Sequence, residues 1–155
     1  MKTGDSHHIE SLKAEYRKQL DRQVELCAKL EAVADSLPND FNVRECLALT
    51  ETLTPILAAA HRFEEEQVFP LLKDADHSLE VNEILQRLTF EHMGDETVAD
   101  ELSITLRDYV TGHGKAKAET LAWMLRAFFD SMRRHLAYDA DHVLPLMGQK
   151  NQNEH

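Results

Sequence analysis

Three stretches of this sequence place an imidazole and a carboxylate four residues apart. They are His61 and Glu65 in HRFEEEQVFPLL, His92 and Glu96 in EHMGDE, and His135 and Asp139 in RRHLAYDADHVLPL. Four residues is one turn of α-helix, so each pair projects from a single helical face. A lone inward histidine is more often a hydrogen-bonded core residue than a ligand. Three inward histidines at one level are a different matter, because gathering them with three carboxylates in one core strips charged groups of water at a high free-energy cost. A multivalent cation offsets that cost directly, and mixed nitrogen and oxygen donors suit iron, manganese or zinc. Two familiar signatures are missing. No HExxH motif supports zinc-peptidase chemistry, and no Glu-x-x-His precedes the site, since Ala58, Thr89 and Met132 stand three residues before the histidines.

The elements that must position these pairs read as four long helices. The first spans about Ile9 to Ser36, with Leu12, Tyr16, Gln19, Gln23, Leu26, Leu30, Val33 and Leu37 at three- and four-residue spacing. Pro38-Asn39-Asp40 stops it and offers Asn39 or Asp40 to cap the next. The second spans about Phe41 to Asp74, with Pro55 expected to kink or split it and Pro70 to bend its last turn. The third begins near Ser78 and ends near Val110, with Val81, Leu85, Leu88, His92, Glu96, Ala99, Leu106 and Val110 on one face. After the loop Gly112-His113-Gly114, the fourth spans about Lys115 to Met147. Its inner stripe is Leu121, Met124 or Leu125, Phe128, Met132, His135, Asp139 and His142 or Val143. Short connections make an up-down-up-down four-helix bundle, an all-α domain over residues 9–147 between a loose segment 1–8 and a polar tail 148–155.

Counting outward from loops centred near Asp76 and His113 puts His61, His92 and His135 at one level, with their carboxylates within a turn. The first helix supplies no histidine there. Its inward polar residues are Tyr16, Gln19 and Gln23, and Tyr16 fits the projected level best.

Composition agrees. The 155 residues are 43% hydrophobic and 29% charged, with only five Gly and four Pro, which favours one helical domain. The formal net charge of −11 argues against nucleic acid or an anionic membrane as partner. No apolar run reaches the roughly 20 residues that span a bilayer, and the polar start MKTGDSHHIE lacks a secretion segment, so a cytoplasmic location is expected. Cys27 and Cys46 read as buried thiols, His7 and His8 as solvated, and His113 as an exposed loop residue. No nucleophile triad or phosphate loop stands out.

The chain resembles the hemerythrin-like, or HHE cation-binding, family over about residues 15–147. HRFEEEQVFP, HLAYDADHVLP and the EH of the third helix carry the resemblance. It implies two non-haem iron ions, with manganese or a single ion as variants. It implies His61, His92 and His135 as terminal ligands and Glu65 and Asp139 as bridging carboxylates. Glu96 stands where oxygen-carrying members have a second histidine. The family's first-helix histidine corresponds to Gln23, or to Gln19 or Tyr16 after a register change, and this departure counts against oxygen carriage. The expected partners are oxygen, nitric oxide or peroxide, with a protein partner or a homodimer as readout. Phe63, Leu88, Met93, Phe128 and Met132 are expected to wall the site. Three roles follow: a redox or gas sensor, or a sensor of iron itself; an enzyme of peroxide, nitric-oxide or iron-centre repair chemistry; and a metal-free helical interaction module.

Overall fold

Four helical rods form the bundle in the computed structural model, which describes residues 2–148 and the side chains of 4–148. The first rod is α1, Lys2–Ser36. The second is compound: α2, Val43–Phe63, passes into a π-turn, Glu64–Val68, and then into the short α3, Phe69–Ala75. The third is α4, Leu79–Val110. The fourth is α5, Ala118–Tyr138, which passes into a second π-turn, Asp139–Val143, and a closing 3₁₀ turn, Leu144–Leu146. No strand occurs among the described residues.

Several boundaries move from expectation. Lys2–His8 belong to α1 rather than to a loose lead-in, and the tail beyond Gly148 lies outside the described residues. The cap of α2 is Asn42, whose side chain accepts the Glu45 N–H at 3.0 Å, rather than Asn39 or Asp40. Ser78, near which this helix was expected to begin, caps α4 by accepting from Val81 N at 3.2 Å. Pro55 does not split α2. Pro55 and Glu51 are both exposed, so water can serve the Glu51 carbonyl that the proline leaves without a donor.

The breaks come instead at the other two helical prolines. Phe69 N–H bonds back five residues to the Glu64 carbonyl, and Leu144 N–H bonds back five to Asp139. Proline follows at once in both places, as Pro70 and Pro145. A proline cannot donate to the fourth residue before it and its ring crowds that carbonyl, so a widened turn just ahead relieves both problems.

Packing is pairwise. α2 lies chiefly against α4, and α1 against α5. Leu30, Leu53, Leu57, Leu102, Leu106, Leu121 and Leu125 are fully buried between them. Each contributes about 1.5–3 kcal/mol of burial free energy before chain entropy is set against it. Arg126–Asp35 at 2.7 Å and Arg133–Glu31 at 2.9 Å tie α5 to α1 on the surface. Exposed pairs of this kind are worth at most about 1 kcal/mol each, so they tune register more than stability. Cys27 and Cys46 are buried thiols, and burial pushes Cys27 up to about 11. No described helix is long and apolar enough to cross a membrane.

Candidate metal centre

At one level of the bundle all four rods contribute polar side chains to the interior. Glu64 opens the first π-turn and Asp139 opens the second, and both are buried. From α1, Tyr16 donates its hydroxyl to Glu64 Oε2 at 2.9 Å, with its ring stacked near Phe63. From α4, His92 sets Nε2 3.3 Å from Glu64 Oε1. His61, at the end of α2, stacks on His92 with ring centroids 3.9 Å apart and an interplanar angle of 9°. Phe69 extends the stack from His92, 6.1 Å away. A cavity of about 260 Å³ reaches this cluster, lined in part by Leu57, Leu88, Met132 and Leu136.

The electrostatics follow from two carboxyls in one dry place. Burial, and then the charge of Glu64, pushes the Asp139 carboxyl up to about 9. Burial pushes Glu64 the same way, but contacts with His92, Asp139 and Tyr16 outweigh it and hold Glu64 below the usual carboxylate range. The pair therefore shares one proton at neutral pH. Burial and the neighbouring carboxylates push the Tyr16 phenol far up, so it stays protonated and donates. Burial and then the stacked His92 lower His61. For His92, burial is outweighed by Glu64, and the imidazole is raised.

Of the three histidines expected at one level, His61 and His92 stack on one another, and His135 lies against Glu91 and Asp95. The predicted inner faces are only partly met. Glu64, not Glu65, turns into the core; Glu65 and Glu96 sit half-buried at one edge, where Glu96 contacts His61 Nδ1 at 3.2 Å. His135 is 36% exposed at the opposite edge, held by Asp95 at 2.9 Å and Glu91 at 3.2 Å, and Asp95 raises its pKa. Of the three first-helix candidates, Tyr16 reaches the carboxylates. Gln23 is buried at the cavity wall but gives its amide to the Gln19 carbonyl, and Gln19 turns aside to Glu15. Met93 is no wall: it is 66% exposed, one residue past inward-facing His92 and therefore about 100° around the helix.

Glu64, Glu91 and Asp95 were not among the residues read from spacing. A signal for Glu64 was present. Counting back six residues from Pro70 and from Pro145 lands on Glu64 and Asp139, the two buried acids. Counting forward four from His61 lands on Glu65 instead.

Among the described residues, no three His, Cys, Asp or Glu side chains close on one point as a coordination sphere; they pair with one another. The donors nevertheless fit a cation. Glu64 Oε1 and His92 Nδ1 are buried and make no well-formed hydrogen bond among the described residues, having only the approaches of His92 Nε2 at 3.3 Å and Glu65 at 3.6 Å, and the buried Asp139 carboxyl lies close enough to Glu64 to feel its charge. Poorly paired buried acceptors are costly, and a cation replacing the shared proton would satisfy them.

A helical bundle with a carboxylate–imidazole cluster at its middle defines the class. The family model described as hemerythrin HHE cation binding domain matches residues 11–147, and the chain belongs to that family. No curated protein and no solved structure matches it.

Proposed function

We propose that this chain is a non-haem iron protein whose buried cluster binds two ions, and that it responds to oxygen, nitric oxide, peroxide or the iron level. Glu64 and Asp139 would hold the ions through their buried carboxylates, with His61 and His92 as buried nitrogen donors. Glu65, Glu96 and His135 complete the donor set from its edges. The observation that carries this reading is the burial of Glu64 and Asp139 near one another in the core, with Glu64 Oε1 held by no well-formed hydrogen bond and only a 3.3 Å approach to His92. Iron, when bound, supplies redox change and affinity for small diatomics and peroxide. The chain's own residues do the rest. Leu57, Leu88, Met132 and Leu136 restrict the cavity to small ligands, and Tyr16 holds Glu64 in orientation through its hydroxyl. The output would be a shift in rod positions or stability read by a protein partner or a second copy.

The test is metal analysis of untagged protein, with visible spectra of reduced and air-exposed forms. About two irons per chain, lost in Glu64→Gln, is the expected result; a chain that binds no iron in either state overturns the reading.

One observation favours turnover of peroxide or nitric oxide as a second reading. Where the family pattern sets a first-helix histidine, α1 offers a protonated phenol against the carboxylates and no imidazole. Peroxide consumption that survives in Glu64→Gln would count against it.

A further inference from the structure

We infer that Glu91, Asp95 and His135 form a port through which a divalent cation passes into the buried cluster. The inference rests on the reading of that cluster as the metal's resting place and adds the route to it. Glu91 and Asp95 lie one turn apart on α4 and hold the two nitrogens of His135 on α5, at 3.2 and 2.9 Å. All three line the cavity that also reaches Glu64 and Asp139.

Exposure falls steadily along this path. The side chains of Glu91 and His135 are 37% and 36% exposed, Asp95 is 22%, and Glu64 is 5%. The path ends on Glu64 Oε1, a buried oxygen that accepts no well-formed hydrogen bond among the described residues and has His92 Nε2 3.3 Å away. A hydrated divalent ion meeting the rim finds two carboxylates and an imidazole that are wet enough to exchange water for protein oxygen one ligand at a time. Inside, it meets two carboxyls that gain more from its charge because they have lost more water. His135 belongs to both stages, since it contacts the outer acids and lines the same cavity.

Two arginines, Arg87 and Arg134, also line the cavity. Their charges oppose a cation, so the rim acids are needed to set the sign of the local field. This opposition supplies a second, independent handle: removing an arginine should hasten a cation and hinder an anion.

The experiment mixes the full metal-free chain with ferrous iron in the absence of oxygen and follows iron bound per chain over time after rapid desalting. In Glu91→Gln/Asp95→Asn, uptake is expected to slow about tenfold, in the range by which charged clefts alter association rates. The final iron per chain should equal that of the unmodified protein. In Arg87→Gln, uptake should be faster at low salt, with the same final value. Glu64→Gln should bind little iron at any time. An unchanged rate in the double variant overturns the port. So does a final iron content that falls along with the rate, because the two acids would then be resting ligands. Slower uptake in Arg87→Gln overturns the cationic passenger. If the unmodified chain takes up no iron, the buried centre itself fails and the port with it; if Glu64→Gln alone abolishes binding while the rim variants change nothing, only the port fails.

Discussion

The two π-turns are near copies in sequence and unlike in surroundings. Each opens on an acid, bonds back five residues from an apolar residue, and runs into proline: Glu64 to Pro70 and Asp139 to Pro145. Each buries its acid. Their histidines differ. His61 stands three residues before its acid and is buried against His92; His135 stands four before and lies at the rim. At 3.6 residues per turn, three residues back is about 60° to one side of the acid and four back is about 40° to the other. The proline fixes where the turn widens, the core fixes the acid, and one residue of spacing then sets the two imidazoles on opposite sides of their acids.

Neutralising the acids one at a time should separate their roles. Glu64→Gln is expected to lower iron affinity by at least about 10–100-fold, and Glu65→Gln, an edge donor one residue on, by a smaller factor. Metal analysis after dialysis reads both; equal losses would mean that Glu65 shares the core position.

A smaller effect is expected for Asp139→Asn in the metal-free protein. Asp139 faces Glu64 and Tyr16, with Glu91 adding further negative charge. Its folded pKa, about 9, lies above the ordinary carboxylate value, so folding takes up a proton between those limits. Its contribution to stability is present at low pH and lost as pH rises toward about 9. The asparagine variant should therefore resist urea better than the parent at about pH 8, by on the order of 1–3 kcal/mol, with the advantage shrinking at about pH 5. An advantage that grows on acidification would contradict the shared-proton picture.

The prolines give a finer test. Pro70→Ala should cost more stability than Pro145→Ala, because α3 follows the first turn and buries Phe69 and Leu72, while the 3₁₀ turn after the second buries none of its own residues and is followed by the single buried Met147. A difference of about 1 kcal/mol in thermal or urea unfolding is expected. The smallest effect belongs to His135→Gln, whose half-exposed side chain should change metal-free stability by no more than about 0.5 kcal/mol. A larger loss would show that the rim contacts hold the bundle together.

Much of the fold was legible because apolar residues at three- and four-residue spacing leave little choice of inner face, and Pro38, Ser78 and Gly112 mark the connections. The contact of His61 with His92 was legible too, because antiparallel rods joined by a short loop fix level by counting. Glu64 was hidden by the assumption of an unbroken 3.6-residue period. That period favours Glu65, and only the paired prolines reveal that both turns are widened. The outward lean of His135 depends on how α4 and α5 sit side by side, which no count along one chain contains. Pro55 leaves α2 unbroken, because an exposed helix face tolerates a missing hydrogen bond that water can replace.

The Tyr16 hydroxyl gives the cluster a mechanical meaning. α1 packs chiefly on α5, yet its phenol reaches across to a carboxylate carried by the second rod, which in turn contacts the imidazole of α4. Glu64 is thus a shared hinge pin, and Tyr16 is the latch that fastens α1 to it. Drawing Glu64 toward a newly arrived charge would slacken that latch, leaving α1 as the rod freest to report the event at the surface.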